Sequence, residues 1–126
     1  MAKSTKKVVI LGSTGSIGVS ALKVANDLSE RIEIVGLGAY KSADELLSQL
    51  NQTGARAACL SDEDAAKSIS ADVPSGVDMF SGDEGLVELA TLEEADIVLI
   101  AIVGIAGLKP ALAALEAGKD LAVASK

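Results

Sequence analysis

Apolar residues along this chain alternate between short unbroken runs and stretches spaced at three and four. The runs predict buried strands, and the spaced stretches predict helices with one face turned inward. Residues 8–11, all Val, Ile or Leu, are the first strand, and residues 16–28 the helix that follows. In that helix Ile17, Ala21, Val24, Ala25 and Leu28 share the predicted inward face. Residues 32–38 are a second strand. The hydroxyl-to-Glu spacing of Ser42 and Glu45 has the form of a capping box, opening a helix to about Gln52 with Leu46, Leu47 and Leu50 inward. Residues 57–60 are a third strand, and the run Ser61, Asp62, Glu63, Asp64 starts a helix that fades near Ala71.

Further along, residues 71–76 carry turn chemistry and residues 77–80 a short strand of mixed polarity. Ser81 and Glu84 repeat the capping-box spacing for a helix to about Thr91. Residues 96–103 are the most apolar strand. Residues 109–117 are a helix with Pro110 in its first turn and Gly118 as its end, and residues 121–124 a last strand. Six strands with intervening helices predict a Rossmann-like, doubly wound α/β fold: a mainly parallel six-stranded sheet with helices on both faces. The two most apolar strands, 8–11 and 96–103, are expected side by side at the centre. Strand 77–80, half polar, goes to the edge beyond the third. The expected order is fourth, third, second, first, fifth, sixth, and the winding reverses between the first and fifth strands. Ligands of such sheets bind at that reversal, beyond the carboxyl ends of the strands.

Composition narrows the function. Hydrophobic residues make up 49% of the 126 positions but aromatics only 2%, so small and branched side chains build the core. The formal charge of −7 opposes a nucleic-acid groove. The basic residues near the start read as part of a solvated tip over residues 1–6. Cys59 is the single cysteine and there is no histidine, which removes a Cys–His pair and any imidazole base or ligand. A lone thiol in an apolar run is a buried strand residue and suits a reducing, cytoplasmic setting. No targeting segment is visible, and no apolar stretch is long enough to span a bilayer. Asp62, Glu63 and Asp64 read as a solvated helix start rather than a metal site.

Candidate chemistry gathers at the expected reversal. Gly12, Gly15 and Gly18 fall between the first strand and the first helix, the context a phosphate-binding glycine loop requires. Gly12 allows a sharp turn, Gly15 a close ligand approach, and Gly18 tight packing of helix on sheet. The amides of Thr14, Gly15, Ser16 and Ile17, aided by the helix dipole, face an anion such as a pyrophosphate. The alternative is a purely structural turn. Past the second strand, no acid stands where a ribose-binding carboxylate is usual. Lys41 and Ser42 occupy the helix start instead, which favours a 2′-phosphorylated dinucleotide. Nearby Asp44 works against that anion, and a solvated Lys41 with a capping Ser42 is the simpler alternative. On the other side of the reversal, the small-residue segment from Ile102 through Val103 to Gly107 lets backbone lie against a nicotinamide ribose, or packs under the next helix.

The segments "ILGSTGSIG" (10–18), "AIVGIAGL" (101–108) and "ALAALEAGKDLAVASK" (111–126) together resemble one family, the 1-deoxy-D-xylulose 5-phosphate reductoisomerases of non-mevalonate isoprenoid biosynthesis. The resemblance runs from Val8 to Lys126. It implies NADPH bound at Gly12, Thr14, Gly15, Ser16 and Ile17, with Lys41 and Ser42 at the 2′-phosphate. It also implies Ala101, Ile102 and Val103 beside the cofactor, Ser125 at a cofactor-contacting position, and Lys126 at a substrate-contacting one. Tyr40 stands where that family commonly has Gly, Ser42 and Ser125 where it has Asn. The family's divalent metal, Mg2+ or Mn2+, is held by an acidic cluster further along than these residues reach.

Residues 7–126 are therefore expected to be an NADPH-binding domain of a longer cytoplasmic homodimer, without catalytic residues or metal ligands of its own and inactive alone. The longer enzyme's partner is a phosphosugar, with no nucleic acid and no membrane. Two alternatives stay open, the cofactor domain of another NADPH-dependent small-molecule reductase and a free-standing nucleotide sensor.

Overall fold

The computed structural model describes residues 5–102 and 104–124. Six strands form one parallel sheet: β1 (Lys6–Leu11), β2 (Ile32–Ala39), β3 (Ala57–Leu60), β4 (Asp78–Ser81), β5 (Ile97–Ile100) and β6 (Asp120–Val123). Their order is β4-β3-β2-β1-β5-β6, the expected one, and all five pairings are parallel. Between them run α1 (Ser16–Asp27), α2 (Ala43–Thr53), α3 (Glu63–Ser68), α4 (Gly82–Ala90) and α5 (Leu108–Glu116), with a 3-10 turn at Gly104–Gly107.

Two cores sandwich the sheet. Ile10, Leu37, Leu46, Leu50, Ala58 and Leu60 pack on the side of α1, α2 and α3. Val9, Leu11, Val35, Leu86, Leu89 and Val98 pack on the side of α4 and α5. Alternate strand residues face opposite layers, as the pleat requires. A register shift opposite Val8 and Val9 interrupts the alternation in β2. There Val35 belongs to the α4 layer, and the next residue, Gly36, also meets Leu89 and Val9.

Several local expectations are corrected. Lys6 is exposed, as expected of the tip, but belongs to β1, paired with Ile32. Val24 of α1 and Leu28, which follows the helix, are exposed, while Gly18 and Ala25 are buried. A Cβ on Gly18 would lie 2.1 Å from the Gly12 carbonyl oxygen. Contact that close sets the rotation of the helix, so Ala21 and Ala25 of the expected face do pack on the core while Leu22, four residues after Gly18, takes the place of Val24. The helices start near their expected positions, but the serine caps do not form. Ser42 and Ser81 make no capping side-chain bond. At α3 the cap is Asp62 rather than Ser61, its carboxylate accepting from the Asp64 amide at 3.2 Å. β5 is shorter than expected, because β1 turns away after Leu11 and leaves no ladder beyond Ala101, whose amide donates to the Leu11 carbonyl at 2.7 Å.

Candidate functional site

The site grows from the end of β1, whose last residue Leu11 lies between Gly38 of β2 and Ile100 of β5. The amides of Gly12 and Ser13 both donate to the Gly38 carbonyl, at 2.7 and 3.0 Å. This fork anchors the loop to β2 while the chain turns toward α1. Gly12 has φ +100°, in the left-handed region that disfavours side chains, and a Cβ there would meet the Ala101 carbonyl oxygen at 2.6 Å. Gly15 is the residue before α1, and a Cβ on it would touch nothing nearer than the Gly12 carbonyl oxygen at 3.7 Å. The three glycines thus divide their work: Gly12 turns, Gly18 packs, and Gly15 leaves space unfilled.

From below, the loop is held by a polar side chain. Gln49, buried on α2, donates from Nε2 to the Ser13 carbonyl at 2.9 Å. Two atoms of this buried pair, Ser13 Oγ and Gln49 Oε1, have no hydrogen-bond partner. Of the amides expected to face an anion, that of Gly15 turns back to the Gly12 carbonyl at 3.3 Å. Those of Thr14, Ser16 and Ile17 make no hydrogen bond with the described residues. These unclaimed donors sit at the positive end of the α1 dipole, which favours an anion.

Above the loop lies a crevice of about 330 Å3, lined by Gly12, Thr14, Gly15, Ala101 and Ile102 of the expected set. Ala39, Tyr40, Ser61, Leu86 and Ala106 complete it. Its walls are backbone, small side chains and the aliphatic chains of Leu86 and Ile102, and the phenol of Tyr40 is the one ionisable group of that lining. Such a crevice can hold and orient a ligand but carries no acid–base pair. Lys41 and Ser42 line a neighbouring depression with Ala43, Asp44, Glu45 and Ser68. The Lys41 ammonium sits 5.7 Å from the centre of the Tyr40 ring. Ser16 and Ile17 stand in the first turn of α1, beside the loop. Val103, Ser125 and Lys126 fall outside the described residues.

Sequence reasoning missed Ser61, Leu86 and the Gln49 brace, whereas Ala106 lies in the segment expected against the ribose. The rule that ligands gather beyond the strands' carboxyl ends could have found Ser61, which directly follows β3. No comparable signal marks a buried glutamine. Cys59 lies away from the crevice, buried between β3 and α4, with Sγ 3.6 Å from the Gly82 carbonyl oxygen. Burial, with Glu88 and Asp83 adding repulsion, pushes its pKa up to about 12, so the thiol stays protonated and unreactive. Among the described residues, no three His, Cys, Asp or Glu side chains are grouped to hold a metal ion, and no helix is long and apolar enough to cross a membrane.

Comparison with known proteins agrees with this fold. A family profile described as 1-deoxy-D-xylulose 5-phosphate reductoisomerase matches residues 8–126. The chain is 46% identical over 121 residues to the 1-deoxy-D-xylulose 5-phosphate reductoisomerase of Anaeromyxobacter sp. (strain K), covering 96% of this chain and 31% of that protein. Its fold superposes with TM-score 0.89 on the reductoisomerase of Zymomonas mobilis in complex with NADPH, at 33% identity, covering 97% of this chain and 32% of that one. A DOX-P reductoisomerase in complex with magnesium superposes with TM-score 0.87 at 35% identity, covering 97% of this chain and 31% of that one. The chain thus spans about a third of the length of the relatives it matches.

Proposed function

The chain belongs to the 1-deoxy-D-xylulose 5-phosphate reductoisomerase family, and from that membership we propose that residues 7–126 are the NADPH-binding domain of such an enzyme. The observation that carries this is the set of unclaimed amides at Thr14, Ser16 and Ile17 beside the open Gly15. Backbone donors around a cradle that a Cβ would fill suit a pyrophosphate. Gly12 and Gly15 bring the chain close to it, and Thr14 and Ser16 add hydroxyls. Ala101 and Ile102, with Gly12 across from them, form the wall for the nicotinamide ribose. Lys41 and Ser42 flank the 2′-phosphate at the start of α2. The roles of Val103, Ser125 and Lys126 in this reading rest on sequence resemblance.

The longer enzyme then rearranges and reduces 1-deoxy-D-xylulose 5-phosphate to 2-C-methyl-D-erythritol 4-phosphate, with NADPH supplying the hydride. No donor set for Mg2+ or Mn2+ exists among the described residues, so no step through a metal is assigned to them. We infer that this chain alone binds cofactor and turns nothing over. The buried, lone Cys59 suits the reducing cytoplasm, and a homodimer is our reading for the longer enzyme.

Titration of the 126-residue chain with NADPH and with NADH, followed by reduced-nicotinamide fluorescence at fixed salt, tests the reading. NADPH is expected to bind at least about tenfold more tightly, the value of one charge-assisted contact of roughly 1.5 kcal/mol. Equal affinities would remove Lys41 and Ser42 from the 2′-phosphate, and no binding of either would overturn the proposal.

A further inference from the structure

Tyr40 is the one aromatic residue of the crevice, and the cofactor reading leaves its ring unused. It is the only tyrosine of the chain, and there is no tryptophan. Its side chain is 65% exposed yet lines the crevice that Gly12, Thr14 and Gly15 also line. An exposed aromatic ring at the mouth of a crevice otherwise lined by small and aliphatic residues is not spent on the core. Its backbone is firmly placed: the carbonyl of Tyr40 accepts from the Asp62 amide at 2.9 Å, and that of Ala39 from the Ser61 amide at 3.0 Å. The phenyl ring therefore pivots on two side-chain torsions from a fixed point. Lys41 holds its ammonium 5.7 Å from the ring centre, within the range of a cation–π contact, so it is already drawn to the same rim.

We propose that the Tyr40 ring is the stacking platform for the adenine base of the bound dinucleotide, a specificity-determining contact on the adenosine side of the crevice. This rests on the proposed cofactor reading and deepens it. A purine offers a flat π-face that aromatic rings bind without regard to its hydrogen-bonding edge. In this arrangement the pyrophosphate meets the loop amides, the base covers Tyr40, and Lys41 swings from the ring's neighbourhood to the adjoining 2′-phosphate. A ligand lacking the base gains nothing from Tyr40.

Because Tyr40 is the only tyrosine, its emission reports the contact directly. The 126-residue chain is titrated with NADPH, with adenosine 2′,5′-bisphosphate and with reduced nicotinamide mononucleotide. Tyrosine emission is followed for all three, and nicotinamide emission for the two reduced compounds. NADPH and the bisphosphate are expected to quench Tyr40, whereas the mononucleotide leaves it unchanged. Y40A is expected to weaken NADPH and the bisphosphate at least about fivefold, as the loss of one base–aromatic stack does, while Y40F stays within about twofold of the parent. Unaltered bisphosphate affinity in Y40A, or an unquenched tyrosine at saturation with NADPH, overturns the stacking proposal while leaving the cofactor reading intact. Failure of the parent chain to bind NADPH at all, read from nicotinamide emission, overturns both.

Discussion

Replacing Gly18 and Gly15 separately by alanine tests whether the glycine loop divides packing from binding. In Gly18→Ala the new Cβ lies 2.1 Å from the Gly12 carbonyl oxygen and 2.7 and 2.8 Å from Ser13 Cα and C. All three neighbours are backbone, pinned to Gly38 and braced by Gln49, so α1 itself must retreat by more than an ångström. Forced overpacking costs up to about 3 kcal/mol, and replacing glycine inside a helix returns about 1 kcal/mol. The net loss is about 2 kcal/mol, near 6–8 °C in midpoint for a domain of this size. In Gly15→Ala the Cβ meets only the Gly12 oxygen at 3.7 Å, an ordinary contact. Losing glycine at the capping position costs about 1 kcal/mol, and the stiffer unfolded chain returns about 0.4–1 kcal/mol. Stability therefore stays within about 0.5 kcal/mol of the parent, but the methyl group stands where the proposed pyrophosphate approaches. NADPH affinity should fall at least about tenfold, a loss of about 1.4 kcal/mol. Urea unfolding measures the first quantity and nicotinamide fluorescence the second. A Gly18→Ala protein as stable as the parent, or a Gly15→Ala protein that loses stability while keeping its affinity, would refute the assignment.

Three further outcomes follow from the same geometry. Gln49→Met leaves the buried Ser13 carbonyl without its donor and should cost roughly 1–2 kcal/mol in urea unfolding. It should weaken NADPH and NADH alike, so a changed preference between them would contradict its role as a brace of the shared loop. Lys41→Ala should remove most of the NADPH preference while leaving NADH affinity unchanged, which parallel titrations check; a preserved preference would discard the 2′-phosphate assignment. For Cys59, the folded pKa of about 12 exceeds the ordinary 9.0, so the native state keeps a proton that the unfolded chain loses. Its contribution is complete below pH 9 and declines as pH rises toward 12, by up to roughly 1.4 kcal/mol per unit. The stability gap between parent and Cys59→Ala should narrow over that window in urea unfolding, and a constant gap would show the thiol ionising equally in both states.

Strand order was legible because apolar content tracks depth in a parallel sheet. Val9, Ile10 and Leu11 of β1 and Val98 and Ile100 of β5 are buried at the centre, whereas β4, with exposed Asp78 and Ser81, lies at the edge. Less legible were features set by backbone proximity, to which hydrophobic periodicity is blind. Gly18 contributes nothing to an apolar face, yet its approach to Gly12 rotates α1 and leaves Val24 exposed. The serine caps failed for a related reason. Ser81 closes β4 in extended geometry and Gly82, at φ +76°, makes the turn into α4, while Ser42 adopts ψ 72°, far from the extended ψ of the Asp62 cap. The hydroxyl spacing marked where the helices begin, but the bond depends on torsions that two-letter spacing cannot specify.

The same distinction governs the site. Gly12, Gly15, Ala39, Ala101 and Ala106 line the crevice with main chain and methyl groups, so in the proposed reading affinity for a pyrophosphate depends on spacing rather than side-chain chemistry. Spacing of that kind comes from the sheet: two amides on Gly38, one on Leu11, and a glutamine from α2 under Ser13. Preorganised amides bind any dinucleotide phosphate equally, so discrimination falls to side chains beyond the crevice floor. Tyr40 and Lys41 are the aromatic ring and the cation at that rim, adjacent in sequence at the end of β2, with Asp44 and Glu45 opposing an anion from the first turn of α2. In the proposed reading, a chain that is acidic overall, with a backbone-lined floor, sets its cofactor preference through residues 40–45, and substitutions there are expected to change that preference without disturbing the fold.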